Sequence, residues 1–119
     1  MTTVTFGHDE KYTGRIDIEG DRAIITVAEW SEWDNGEEAV FPREQFKDVV
    51  ALLEAGLNRV TVTSILIGDE KYAGRIQSAF GLPREFVAEI EVAEWREFSN
   101  SSTVYINEPQ AREIITLLS

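Results

Sequence analysis

The stretch DEKYTGRI at residues 9–16 returns as DEKYAGRI at residues 69–76, with seven of its eight positions identical. A second match follows, because VAEW at residues 27–30 recurs at residues 92–95. Between these two matches, the second copy has five more residues than the first. They fall in SAFGLPRE, a connection with glycine and proline that tolerates insertion. The sequence therefore contains one structural unit twice.

Each copy begins with alternating runs of β-prone residues and ends with an amphipathic helix. The first helix is predicted in PREQFKDVVALLEAG, with proline in its first turn and its end at Gly56. The second is predicted to follow Asn107, a good N-cap, and to hold Pro109 in its first turn. The predicted apolar stripes are Phe46, Val49, Val50, Leu52 and Leu53 in the first helix and Ala111, Ile114, Ile115 and Leu118 in the second.

We therefore predict an α+β fold of tandem duplicated β-β-β-β-α units in a single domain. Repeat one covers residues 1–56, repeat two covers residues 60–119, and residues 57–59 join them. The antiparallel sheets are expected to carry two helices that pack as a pseudo-twofold pair, because neither copy is expected to bury its apolar surface alone.

The tetrapeptide EGDR at residues 19–22 predicts a hairpin, because glycine at the first central position suits a type II′ turn. Pairing Glu19 with Arg22 then sets the register of the two strands. Since side chains alternate along a strand, one face receives an apolar set that must point to the core. That set is Ile16, Ile18, Ile25 and Val27, and the other face receives Lys11, Thr13, Arg15, Thr26, Ala28 and Trp30.

This second face places a tryptophan beside two cations, and the same parity holds in the second copy. An aromatic ring among basic residues on an open sheet is typical of single-stranded nucleic-acid binding, because the ring stacks on a base for roughly 1–3 kcal/mol while cations meet phosphates. Alternatively, a helix, the other repeat or a second subunit covers the tryptophan, or a bulge turns it inward. The candidate binding residues are Lys11, Arg15, Trp30, Lys71, Arg75 and Trp95.

Several neighbouring positions have two interpretations. Gly14 and Gly74 predict either a bulge or bend in the strand or the close approach of a ligand. Trp33 and Phe98 are expected in the core or in packing at the hairpin tip, and Gly36 is expected to supply a positive dihedral in a turn. We also expect Glu91 opposite Arg75, as a cross-strand ion pair.

The run RIDIEGDRAIITVAEWSEWDNGEEAVFPREQFKDVVALLE at residues 15–54 resembles the single-stranded-DNA-binding domain of the positive-cofactor-four transcriptional coactivators. The run VYINEPQAREIITLL at residues 104–118 resembles the final strand and helix of the same domain. Two fused units are the plan of the Whirly-type members of that superfamily. The resemblance implies curved sheets that bind single-stranded DNA, helices that pack a dimer or pseudo-dimer, and roles for the same six candidate residues.

Composition limits the chemistry that the chain can perform. It has 22 acidic and 11 basic residues, a formal net charge of -11, which repels polyanions at long range. The absence of cysteine and the single histidine, His8, exclude disulfides, thiol nucleophiles and the usual zinc sites. We expect no enzymatic activity, no metal and no cofactor. The opening MTTVTFGHDE and the lack of a long apolar run predict a cytoplasmic protein with no membrane partner.

These observations predict a non-enzymatic protein that binds single-stranded DNA or RNA and regulates transcription or DNA metabolism. The alternative is an acidic protein-interaction module that docks on a basic protein, as a DNA decoy or assembly factor, without binding nucleic acid. A third interpretation is a homo-oligomer that forms through the tryptophan faces.

Overall fold

A computed structural model describes residues 2–7, 11–30, 32–58, 64–68, 72–78, 86–94 and 102–119. The fold is α+β, with two four-stranded antiparallel sheets in the orders β1-β2-β3-β4 and β5-β6-β7-β8 and one helix after each sheet. The first half contains β1 (Thr3–Phe6), β2 (Tyr12–Glu19), β3 (Arg22–Glu29), β4 (Glu37–Pro42) and α1 (Phe46–Asn58). The second half contains β5 (Ser64–Gly68), β6 (Tyr72–Ser78), β7 (Phe86–Glu94), β8 (Ser102–Asn107) and α2 (Glu108–Leu118).

The β2–β3 hairpin has the register that its turn predicts. Gly20 has a φ of 63°, whereas Asp21 has no positive φ, as in a type II′ turn. Glu19 pairs with Arg22, and Tyr12 with Glu29 at the far end. Of the predicted core side chains, Ile16, Ile25 and Val27 are buried and Ile18 is half-buried against the core.

One apolar core joins the two halves of the chain. Helix α1 contacts β5, β6 and β7, while α2 contacts β1 as well as β7 and β8, and the two helices contact each other. The buried apolar cluster draws side chains from both sheets and both helices. Each sheet therefore packs one face against this core, and its second face lies on the side away from the core.

Helix α2 begins as predicted. The Asn107 side chain accepts a hydrogen bond of 2.9 Å from the backbone N–H of Gln110, and the Asn107 N–H donates one of 3.1 Å to the Gln110 side chain. This reciprocal capping box satisfies two N–H groups that a helix start leaves unpaired. Pro109 lies in the first turn, as predicted. Within the described ranges, neither helix is long and apolar enough to cross a membrane.

The predicted end of α1 at Gly56 is wrong, because the helix continues to Asn58. At the other end, a 3₁₀ turn, Arg43–Gln45, precedes the helix. Gly56 is buried, and a β-carbon added there would collide with the carbonyl oxygen of Val87 in β7. This glycine therefore allows α1 to approach β7 closely and does not end the helix.

The glycines of the repeated stretch serve the same purpose. The β-ladder runs through Gly14 and Gly74 without a register shift, so the predicted bulge is wrong. A β-carbon at Gly14 would collide with the ring of Phe6, the residue paired with it on β1. At Gly74 it would lie 3.0 Å from Ile67, the paired residue on β5. Both glycines make room for a buried side chain from the neighbouring strand.

The close contact at Gly56 gives the first testable prediction. Helix propensity alone would make Gly56→Ala more stable by about 0.5–1 kcal/mol. The new methyl group would meet backbone that cannot rotate away, so we expect the clash to dominate and the free energy of unfolding to fall by about 1–3 kcal/mol. Urea denaturation measures the change. The matched control is the reverse substitution, Ala51→Gly, at an exposed site of the same helix. It should lower the free energy of unfolding by about 1 kcal/mol. A stabilised Gly56→Ala variant would contradict the close contact.

Candidate binding site around Trp30

Trp30 follows β3 and is displayed outward. The backbone N–H of Trp30 donates a hydrogen bond of 2.7 Å to the carbonyl oxygen of Lys11, which continues the hairpin as predicted. The residue is 67% exposed, and its φ of 52° is positive, which is uncommon for a bulky residue. That conformation costs roughly 1–2 kcal/mol. Cover of Trp30 by a helix or by the other repeat in the described residues, and a bulge that turns it inward, are therefore wrong, whereas cover by a second subunit stays a prediction.

Lys11 lies next to Trp30 but is already accompanied by a carboxylate. Its Nζ is 3.9 Å from Oε1 of Glu29 and 5.4 Å from the centre of the Tyr12 ring. Both charged side chains are about half exposed, so the pair contributes little stability. It nevertheless cancels the positive charge beside the indole.

Arg15 is held on the second face of the first sheet by two contacts. Its Nε is 2.9 Å from Oδ2 of Asp17, and its guanidinium carbon is 4.8 Å from the centre of the Trp33 ring. Asp17 also accepts a hydrogen bond of 2.6 Å from the hydroxyl of Thr3. Trp33 therefore lies outside the core, and of its two predicted positions the hairpin tip is correct. Sequence reasoning placed Trp30 beside Arg15, whereas the ring that stacks on Arg15 is that of Trp33.

The β3–β4 connection closes the face that was predicted to be open. It contains a 3₁₀ turn, Trp33–Asn35, followed by Gly36. A β-carbon at Gly36 would lie 2.8 Å from Cγ2 of Thr26 and 3.1 Å from the β-carbon of Ala28. Gly36 has a φ of -80°, so the predicted positive dihedral is wrong and close approach to the sheet explains this glycine. Thr26 and Ala28 are buried as a result.

Two buried polar atoms beneath this connection have no hydrogen-bond partner among the described residues, Nε of Arg15 and Oγ1 of Thr26. They belong to residues paired directly across β2 and β3. The Arg15–Asp17 ion pair brings the charges together without the geometry of a hydrogen bond. Thr13, on the same face, is different, because its hydroxyl donates to the carbonyl oxygen of Ala28 over 3.2 Å.

In the second half, the predicted pair between Arg75 and Glu91 is confirmed. The two residues are opposite each other on β6 and β7, and Nη2 and Nε of Arg75 lie 2.6 and 3.2 Å from Oε1 of Glu91. The glutamate is buried and the arginine is about one-third exposed. Lys71 and Trp95, the remaining candidates, and Phe98 lie outside the described residues.

Ion pairing extends to nearly every cation in the described ranges. Six of the seven lysines and arginines there lie within 4 Å of a carboxylate of the same chain. These pairs are Lys11–Glu29, Arg15–Asp17, Arg22–Glu19, Arg43–Asp21, Arg75–Glu91 and Arg112–Glu108. Among the described residues, Lys47 is therefore the one cation outside these pairs, and most of the remaining charged groups are carboxylates.

A cavity of about 220 Å³ lies at the same end of the hairpin as Trp30. Its walls combine a tyrosine, three aliphatic side chains and three glutamates: Tyr12, Val27, Ala28, Val92, Glu29, Glu32 and Glu37. A concave surface of this composition suits a cationic group better than a phosphate. In the described part of the chain, no cluster of histidine, aspartate and glutamate is arranged to hold a metal ion.

Comparison with known proteins gave no match to a family model, a curated protein or a solved structure. The functional interpretation therefore depends on the geometry described above.

The different environments of Thr26 and Thr13 allow a matched test. Thr26→Val removes a buried hydroxyl without a described partner, so we expect the free energy of unfolding to rise by about 1 kcal/mol. Thr13→Val removes a hydroxyl that is hydrogen-bonded, so we expect a loss of about 0.5–1.5 kcal/mol. Chemical denaturation of both variants gives the sign. A destabilised Thr26→Val variant would indicate that its hydroxyl has a partner.

Glu89 gives a prediction about pH. Burial raises the pKa of its carboxyl above 4.5, the neighbouring Glu91 raises it further, and Arg75 lowers it. Because the folded state holds this proton more tightly than the unfolded state, stability falls as pH rises from the unfolded pKa through the folded pKa. Glu89→Gln should therefore stabilise the protein at pH 7 by less than about 1 kcal/mol, since the group is partly solvated.

The control for this variant is Glu113→Gln on the exposed side of α2, which makes the same change in net charge. Unfolding measured from pH 4 to pH 7 should show a smaller decline in stability for Glu89→Gln than for the parent and the control. Identical slopes in all three proteins would refute the assignment of this decline to Glu89.

Proposed function

We propose that this chain is a non-enzymatic docking protein that uses Trp30 as the anchor for a basic protein partner. The observation that carries the proposal is the outward display of Trp30 on a backbone with positive φ. A bulky side chain in that conformation is strained, and such strain is concentrated at functional positions. Tryptophan is also the residue most enriched at the energetic centres of protein interfaces.

The charge around the anchor specifies the partner. Glu29 and Glu32 flank Trp30 and are both exposed, and the cavity beside them is lined by carboxylates. Lys11 is balanced by Glu29, so the described residues leave no excess positive charge near the indole. A partner with an apolar pocket and basic residues at its rim would bury the ring and oppose these carboxylates, which favours correct orientation and fast association.

Single-stranded nucleic acid is the second candidate ligand, and Lys11 is the observation that favours it. Its 3.9 Å contact with Glu29 is long and half exposed, so a phosphate could replace the carboxylate while a base stacks on Trp30. Arg15 and Arg75 support this candidate less, because each is held by a carboxylate at 2.9 Å or less. With so few contacts to phosphate, stacking would supply most of the affinity and the salt dependence would be shallow.

Two further properties belong to the proposal. We infer that residues 1–56 and 60–119 are duplicated units related by a pseudo-twofold axis, supported by the equal strand orders and by the equivalent contacts of Gly14 with Phe6 and Gly74 with Ile67. Cytoplasmic location and a role in transcription or DNA metabolism stay predictions.

Fluorescence titration tests the function. We expect a lysine- and arginine-rich peptide to quench the intrinsic fluorescence at low salt and Trp30→Ala to weaken its binding roughly 30-fold or more, as expected for an anchor that contributes at least about 2 kcal/mol. The control is Trp30→Phe, which keeps an aromatic ring and should retain most of the affinity. Binding should weaken at high salt, because the carboxylates and the peptide attract each other.

Oligo-dT and duplex DNA are titrated in parallel. Binding of oligo-dT that depends on Trp30, with no binding of the basic peptide, would replace the docking function with the single-stranded nucleic-acid function. Equal affinity of the parent and Trp30→Ala for every ligand would overturn both.

A further inference from the structure

The cavity at the end of the β2–β3 hairpin lies where the apolar core opens to solvent. Tyr12 pairs with Glu29 across β2 and β3. Val27 pairs with Glu37 across β3 and β4, and alternation places both pairs on the core-facing side of the first sheet. Val92 lines the cavity from the second sheet. The two valines are buried and the two carboxylates are exposed, so the cavity has an apolar floor and an acidic mouth.

The size of the cavity limits the ligand. Its volume is about 220 Å³. Pockets for drug-sized ligands measure roughly 300–1,000 Å³, whereas an apolar cavity of about 150 Å³ holds benzene. The space therefore fits a chain of about six carbon atoms, with a polar end at the mouth, and is too small for a drug-sized molecule.

The mouth already holds an ammonium group of the chain itself. Nζ of Lys11 lies 3.9 Å from Oε1 of Glu29 and 5.4 Å from the centre of the Tyr12 ring. Glu32, a further residue of the cavity wall, is exposed and has no ion pair within the described ranges. None of the described residues that line the cavity is a cation. The charge at the mouth therefore exceeds what Lys11 balances.

We propose that this cavity binds a small primary amine whose ammonium group is joined to an apolar chain. The chain packs on Val27 and Val92, as the surrounding core side chains do. The ammonium lies at the mouth against the Tyr12 ring and the carboxylates of Glu29 and Glu32. Cation–π attraction and opposite charge both favour it there, in the place where Lys11 now contributes its own ammonium.

The arrangement selects this class over other ions. An anion would meet three carboxylates and no lining cation among the described residues. In the described part of the chain, the carboxylates are not arranged to hold a metal ion, and the apolar floor supplies no ligand to one. A polyamine would place a second charge against the valines, where burial without a partner is costly.

Chemical-shift titration of the full chain with methyl-, butyl- and hexylammonium chloride, at constant ionic strength, tests the proposal. We expect the affinity to rise roughly tenfold or more from the methyl to the hexyl compound, because each buried methylene strengthens binding. The largest shifts should occur at Tyr12, Val27 and Val92. Hexanol, which has the same chain without the charge, should bind more weakly. Equal affinity for methyl- and hexylammonium would show attraction to surface charge alone and would overturn the proposal.

Two variants with matched controls locate the ammonium. Glu32→Gln should weaken hexylammonium binding roughly two- to fivefold. Its control is Glu38→Gln, which makes the same charge change on the outward side of β4, opposite Thr26, and should leave the affinity unchanged. Equal effects of the two variants would place the amine outside the cavity.

The second variant removes the ammonium of the chain itself. Lys11→Met should tighten hexylammonium binding roughly twofold or more, because Glu29 then has no competing cation. Its control is Arg22→Met, since Arg22 is similarly exposed and pairs with Glu19 at the other end of the hairpin. Tightening by the control as large as that by Lys11→Met would contradict competition at the mouth.

The inference goes beyond the docking function and fails separately from it. Trp30 does not line the cavity, so Trp30→Ala should bind hexylammonium like the parent. If hexylammonium does not bind while Trp30 still determines binding of the basic peptide, the amine site is wrong and the docking function stands. If hexylammonium binds with the expected dependence on chain length while Trp30→Ala leaves peptide binding unchanged, the docking function is wrong and the amine site stands.

Discussion

The turn at Glu19–Arg22 is the constraint on which the first sheet depends. Because the turn has two central residues and glycine takes the positive φ, the register of β2 and β3 has no freedom to slip. A slip of β2 by one residue against β3 would turn Arg15 toward the core in place of Ile16 and would bury a guanidinium there. The register therefore decides both the contents of the core and the residues available on the second face.

Rules that act over short distances made much of the structure predictable from sequence. Alternation and turn chemistry gave the hairpin register, the Arg75–Glu91 pair and the capping of α2 by Asn107. The glycines were misinterpreted because their cause is distant in sequence. Gly56 is required by the carbonyl of Val87, and Gly14 by the ring of Phe6. An absent side chain carries no information about which distant group occupies its space.

The candidate site was predictable only as far as β3 extends. The alternation of side chains ends at Trp30, where φ is positive, and the following residues form a 3₁₀ turn that returns over the sheet. Trp33 therefore reaches Arg15, although strand parity assigns it to the opposite face. Gly36 was predicted to take a positive φ, whereas its φ is -80° and its close approach to Thr26 and Ala28 accounts for it.

The distribution of charge decides between the ligands that an exposed tryptophan could bind. Stacking on Trp30 would favour any planar or apolar partner, so the indole alone gives little selectivity. Selectivity comes from the neighbouring groups, and here Lys11, Arg15 and Arg75 are each matched by a carboxylate while Glu32 adds a further negative charge beside the anchor. A polyanion must approach through that negative field, whereas a pocket with a basic rim is attracted by it. In the docking function that we propose, the same carboxylates would disfavour nucleic acid and favour a partner with a basic rim, without any change in the aromatic anchor.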